Sequence, residues 1–158
     1  MGIYYPIYSI FSRGNIDRWC IKMAERMVLV IFSGTPDRLL GAAILASGAV
    51  AMDMEVDIYL MLWGVYGFLK KNLEKNKSLS EHQELADELE KGLKNAGLKP
   101  WYEILKEAKE LGTVRIHVCS AAAKIWGAKL EDIYLADDLV GAGEIITAAK
   151  EANVAFFI

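Results

Sequence analysis

Apolar residues fall along this chain in short unbroken runs, separated by stretches with helical spacing. "MVLVIFS" (27–33) and "EVDIYLML" (55–62) are runs of the kind expected for strands buried on both faces. "TVRIHVCS" (113–120) reads as a third strand, and "VAFFI" (154–158) as a final one. "LEDIYLADDLVG" (130–141) holds a helical turn and a short strand near 137–140. Between the first two strands lies "GTPDRLLGAAILASGAVAM" (34–52), a helix that is apolar nearly all round. Thr35 suits its N-cap, Pro36 its first position and Asp37 the positive end of its dipole. Its Ala- and Gly-rich surface points to burial against a sheet or a partner.

The second crossover is longer. "WGVYGFLKKNLEKNK" (63–77) breaks the periodicity with Gly64 and Gly67 and ends in a basic segment. "SLSEHQELADELEKGLKNAG" (78–97) reads as an exposed amphipathic helix. Ser78 and Glu81 form its capping box, Leu85, Leu89 and Leu93 its stripe, and Gly97 its stop. "PWYEILKEAKELG" (100–112) is a further helix, "AAAKIWG" (121–127) a short one and "AGEIITAAKEAN" (142–153) the last. Strands alternating with helices predict βαβ units. The expected fold is a three-layer α/β/α sandwich, flavodoxin-like in outline, around a mostly parallel sheet of about five strands.

Residues 1–26 follow none of these periods. They read as an N-terminal extension, disordered or upstream of a native start at Met23 or Met27, and residues 27–158 as a single α/β domain. The 158 residues suffice for one sizeable core. A net charge of −3 argues against a broad nucleic-acid surface. The mean hydropathy of +0.21 is high for a monomer, so the all-apolar helix and the aromatic stretch at 63–68 predict a homo-oligomer. The strongest apolar stretch, "GAAILASGAVAM" (41–52), is too short to span a bilayer, which needs about 20 residues. No integral membrane association is expected.

Chemistry concentrates at "VCSAAAK". The carboxyl ends of strands are where ligands gather in open parallel sheets, and Cys119 falls at such an end with a helix starting at Ser120 or Ala121. A helix N-terminus favours a thiolate, the reactive form. Ala121, Ala122 and Ala123 keep the first turn narrow, which leaves the sulfur open to a partner. The bland alternative is a packed core cysteine. His117 and Arg115 share the strand face with Cys119. His117 reads either as a base or thiolate stabiliser, or as a satisfied structural histidine. Ser33, Gly34 and Thr35 open a helix and form a possible anion-binding turn, without a GxGxxG or P-loop pattern. Asp137 and Asp138, followed by Gly141 and Gly143, form a candidate site loop, able to bind a cation or simply solvated. Cys20 and Cys119 make no CxxC and no metal spacing; a disulfide between them stays open as an alternative. No cofactor is expected.

These stretches resemble the DsrE/DsrF/DsrH-like family of sulfur-relay proteins. "VLVIFSGTPDRLLGAAILASGAVAMDMEVDIYLMLWGVYGFLKK" is similar to the family's first half, with its SG-x-x-D turn, small-residue helix and "WG" aliphatic lid. "VRIHVCSAAAKIWGAKLEDI" resembles the family's strand–Cys–helix segment, and "LVGAGEIITAAKEANVAFFI" its closing helix and strand. The resemblance covers residues 27–158 and includes a subgroup labelled peroxiredoxin-like. It implies a cytoplasmic α/β oligomer that carries sulfane sulfur, as persulfide or thiosulfonate, on Cys119. It also implies handover to a TusA-like carrier or another thiol-bearing protein. In that reading Trp63, Tyr66 and the Asp137–Gly143 loop wall the site, with Ser120 and His117 in support. The alternatives are a non-catalytic scaffold subunit of a sulfur-metabolism complex and a small-molecule or nucleotide-binding module. A second cysteine near Cys119 is lacking, which suits a one-site carrier.

Overall fold

The computed structural model describes residues 25–158. The first 24 residues of the proposed N-terminal extension, with Met23 and Cys20, lie outside the described residues, and so does the alternative of a Cys20–Cys119 disulfide.

Five parallel strands form one sheet in the order β4-β3-β2-β1-β5. They are β1 (Arg26–Ile31), β2 (Glu55–Leu60), β3 (Val114–Cys119), β4 (Asp138–Val140) and β5 (Val154–Phe157). The three central strands are the near-continuous apolar runs, as burial on both faces requires. β4 has three residues and β5 is exposed throughout, as befits edges.

Helices α1 (Pro36–Ala51), α2 (Trp63–Phe68), α3 (Ala86–Asn95), α4 (Trp101–Leu111), α5 (Ser120–Ile125) and α6 (Ala142–Glu151) connect them. β1 to β4 step across the sheet in one direction, and only the β4–β5 crossover runs back. Right-handed crossovers therefore put α1 and α4 on one face and α6 on the other, giving three layers. α1 and α4 pack side by side, closely enough that a Cβ on Gly112 would meet Val50 Cγ1 at 2.6 Å. Val28, Leu29, Val56, Ile58, Ile116 and Val118 form the fully buried centre. Each such side chain contributes about 1.5–3 kcal/mol by leaving water.

The largest departure from expectation is at 78–85. No capping box forms at Ser78 and Glu81, and α3 begins only at Ala86, after a 3₁₀ turn at Gln83–Leu85. The reason lies on α1. Asp37 accepts hydrogen bonds from the Ser80 backbone N–H and hydroxyl, and Arg38 reaches Ser80 Oγ and Glu81 Oε1. These contacts capture the would-be first turn. The Leu85, Leu89 and Leu93 stripe survives but buries none of its members fully; Leu89 and Leu93 line a cleft of about 690 Å³ above Leu40 and Trp101. In the stretch read as irregular, α2 and a 3₁₀ turn at Lys70–Asn72 form instead.

Candidate functional site

Cys119 is the last residue of β3 and the N-cap of α5, so the strand–cysteine–helix junction stands where the sequence places it. Ser120 is the first helical residue. Cys119 is a free cysteine and is only 6% exposed. This corrects the expectation of an open sulfur. Ala122 and Ala123 on the helix that follows are buried as well. α5 has six residues, under two turns, so it adds only a fraction of a full helix dipole at the thiol. Beside Cys119 in register is Val140 of β4, and Gly141 follows as the N-cap of α6.

A second group gathers at the carboxyl ends of β1 and β2. Phe32 and Ser33 leave β1 with both amides donating to the Ile158 carbonyl at 2.6 and 3.3 Å. Thr35 is the N-cap of α1, but its hydroxyl faces Ser33 Oγ at 3.1 Å and makes no cap hydrogen bond. The two hydroxyls of the expected anion-binding turn are thus bonded to each other. Gly34 lies directly on the backbone of α2, close to the Trp63 carbonyl. Trp63 is 59% exposed and packs on Trp126 and Tyr66, with ring centroids 5.0 and 5.8 Å away. Trp126 Nε1 donates to the Leu62 carbonyl at 2.8 Å, tying the end of α5 to the start of α2. Ser33, Gly34, Thr35, Arg38, Trp63 and Tyr66 line a cleft of about 720 Å³. Cys119 is not among its lining residues.

His117 stands apart from both. Its Nδ1 lies 2.7 Å from Asp138 Oδ1 and its Nε2 3.3 Å from Asp57 Oδ1, and its ring stacks on Tyr59 at 4.6 Å. Both nitrogens are engaged by carboxylates, so neither is free to take a proton from Cys119. Of the two readings of His117, this arrangement supports the satisfied structural histidine, here at the centre of a charge network. Asp57 is fully buried and also accepts from Arg26 and from Arg115 Nε, the latter at 2.7 Å. Arg115 reaches on to Glu55 at 2.6 Å. Burial pushes the Asp57 carboxyl up, but bonds from His117, Arg115 and Arg26 outweigh it and hold the group well below the usual carboxylate range. The bond to Asp57, against burial and with help from Asp138, raises His117 above its ordinary value. Asp137 is a structural clamp. It accepts from the Ile116 amide at 2.7 Å and from Lys109 at 2.5 Å, three residues below Cys119 on the sheet. It does not wall the thiol.

Asp57 and Arg26 are missed by the sequence reading. The available signal was a lone carboxylate inside an apolar strand, of a parity that Arg115 and His117 can match in the next strand. Trp126 left no signal beyond a bulky residue after a short helix. Among the described residues, no group of His, Cys, Asp or Glu is arranged to hold a metal ion, and no helix is long and apolar enough to cross a membrane.

The model of the DsrE/DsrF-like family matches residues 27–156. The chain belongs to the DsrE/DsrF-like family. It is 23% identical over 159 residues to the uncharacterized protein YrkE of Bacillus subtilis (strain 168), covering 87% of this chain and 99% of that one. Among solved structures, the DsrE-like fold recurs in a protein of unknown function, MTH1491 from Methanobacterium thermoautotrophicum. There the TM-score is 0.58 and identity 16%, over 85% of this chain and 99% of that one. It recurs again in the ychN protein from E. coli, with a TM-score of 0.54 and 13% identity over 86% and 100% of the two chains. These two likenesses speak to fold.

Proposed function

We propose that this DsrE-like protein is a cytoplasmic sulfur carrier that holds sulfane sulfur on Cys119 and passes it to a protein thiol. The observation that carries the reading is the position of Cys119. It is a free cysteine at the carboxyl end of β3, at the opening of α5, inside the matched family region. Loading is a thiol exchange: the Cys119 thiolate attacks the outer sulfur of a persulfide, R–S–SH. One S–S bond forms, the donor's S–S bond breaks, and R–S⁻ leaves, with no net oxidation. Handover repeats the exchange, with the acceptor thiolate attacking the Cys119 persulfide. The acceptor is a TusA-like carrier or another thiol-bearing protein. Near-complete burial suits a persulfide, because a covered sulfane sulfur is shielded from bulk thiols. Ser120 and Gly141 flank the sulfur, and Trp63 and Trp126 present an aromatic surface on which a partner can seat. In a Cys119→Ser variant, sulfur loading should vanish and the fold persist; retained loading sinks the proposal.

The protein assembles as a homo-oligomer in this reading. The outer side of α1 carries Gly41, Ile44, Leu45, Gly48 and Met52, all exposed, with no charge between Arg38 and Asp53.

One observation favours a second reading. A cysteine 6% exposed is also what a packed core residue looks like, as in a scaffold subunit. Complete resistance of Cys119 to alkylation in the native protein would select that reading.

A further inference from the structure

Strand β4 is short, lies at the sheet edge and holds Val140 beside Cys119. Its start is clamped twice. Asp137 binds the Ile116 amide and Lys109, and Asp138 binds His117 at 2.7 Å. Its end runs into Gly141, the N-cap of α6, where no side chain packs against the neighbouring elements. The Asp138 side chain is 52% exposed, whereas His117 is 9% exposed and anchored from behind by Asp57. The histidine is thus the buried, anchored partner of this contact and Asp138 the half-exposed partner on the edge strand.

We propose that His117 is a positioning residue for Cys119: by holding Asp138 it keeps β4 seated beside β3 and the thiol covered, and release of that contact admits a protein-sized partner. This rests on Cys119 being the sulfur-bearing group. It assigns storage of the sulfur to the seated state and handover to the released one. The two loop carboxylates thereby gain a role that neither cation binding nor solvation supplies.

The groups facing His117 set its response to pH. They are Asp57 and Tyr59 of β2, Asp138 of β4 and Arg115 of β3, with Arg26 and Glu55 acting through Asp57 and Arg115, and Glu144 of α6 beside Tyr59. The protonated ring donates to both carboxylates. The neutral ring has one N–H and serves only one of them. Because the folded protein raises the histidine's pKa, the double contact is complete below the ordinary value of about 6.5 and is lost as pH rises through the higher folded value.

The test is native-state labelling of the full chain, with Cys20→Ser so that Cys119 alone reacts. Rates are measured with iodoacetamide and with a polyethylene-glycol maleimide between about pH 6 and about pH 9. A change in thiolate fraction moves both reagents together, so the bulky-to-small rate ratio isolates opening. The ratio should rise about fivefold near pH 6 in Asp138→Asn and in His117→Gln, as expected for a half-exposed charged contact. In the wild type it should climb with pH, and in the variants it should stay flat. A ratio equal in all three proteins, or independent of pH in the wild type, overturns the proposal. Asp138→Asn alters a half-exposed side chain, so it carries the test if His117→Gln fails to fold. Labelling involves no sulfur cargo. A failed ratio therefore leaves the carrier reading standing, and failed loading leaves the ratio interpretable.

Discussion

A Cβ built on Gly34 would stand 2.2 Å from the Trp63 carbonyl oxygen and 3.0 Å from the Gly67 amide nitrogen. Both obstacles are backbone atoms, so no rotamer change relieves them. Gly34 is therefore what allows the turn after β1 to press against α2 and hold the exposed Trp63 in the cleft wall. Gly34→Ala should cost about 3 kcal/mol, read as a lowered urea midpoint. The altered Trp63–Trp126 packing should also change the tryptophan emission.

Gly41 and Gly48 make the opposite case. A Cβ at either meets nothing within 4 Å, so the protomer does not need glycine there. Each costs the helix about 1 kcal/mol relative to alanine. If the outer side of α1 is the contact between copies, Gly48→Glu should leave the far-ultraviolet spectrum intact and halve or further reduce the mass seen by light scattering. A wild-type protein of monomeric mass would contradict this assignment.

Asp57 accepts hydrogen bonds from two guanidinium groups and faces the His117 ring from a fully buried position. Asp57→Ala strands those cations against the sheet. The cost should be about 3 kcal/mol, at the low end for a broken buried pair because Arg26 and Arg115 keep partial access to solvent. Chemical denaturation at neutral pH measures it.

The same carboxylate predicts the pH profile of that deficit. Its folded pKa is depressed, so its stabilisation is present above the unfolded value of about 3.9 and is lost as pH falls through the folded value. The stability gap between wild type and Asp57→Asn should widen as pH falls through the raised folded value of His117, persist down to about pH 4 and shrink only in stronger acid. A gap that closes already between about pH 7 and about pH 5 would contradict a depressed Asp57 carboxyl.

Much of the fold was legible because its signals are local. The runs at 27–33, 55–62 and 113–120 carry strand burial in their own composition, and Thr35-Pro36-Asp37 marks a helix start without help from elsewhere. The helix start expected at Ser78 does not form because its competitors are distant in sequence: Arg38, some forty positions upstream, takes the Glu81 carboxylate that a capping box would turn back on Ser78, and Asp37 ties down the neighbouring Ser80 donors. The site divides the same way. Cys119 at its strand end follows from the run that precedes it. That His117 faces Asp57 and Asp138 follows from strand order and register, which no spacing within one segment encodes. The burial of the thiol is likewise a tertiary product: its register partner Val140 comes from β4, outside the strand–cysteine–helix segment.

The central claim, that Cys119 carries sulfur, is tested most directly by intact-protein mass spectrometry after incubation with polysulfide, for wild type and Cys119→Ser side by side. The account predicts a mass increase of one or more sulfur atoms on the folded wild type, removed by a thiol reductant and missing from the variant. An unmodified wild type that takes up label at Cys119 only after denaturation would contradict it and leave the cysteine as a packed residue of the sheet.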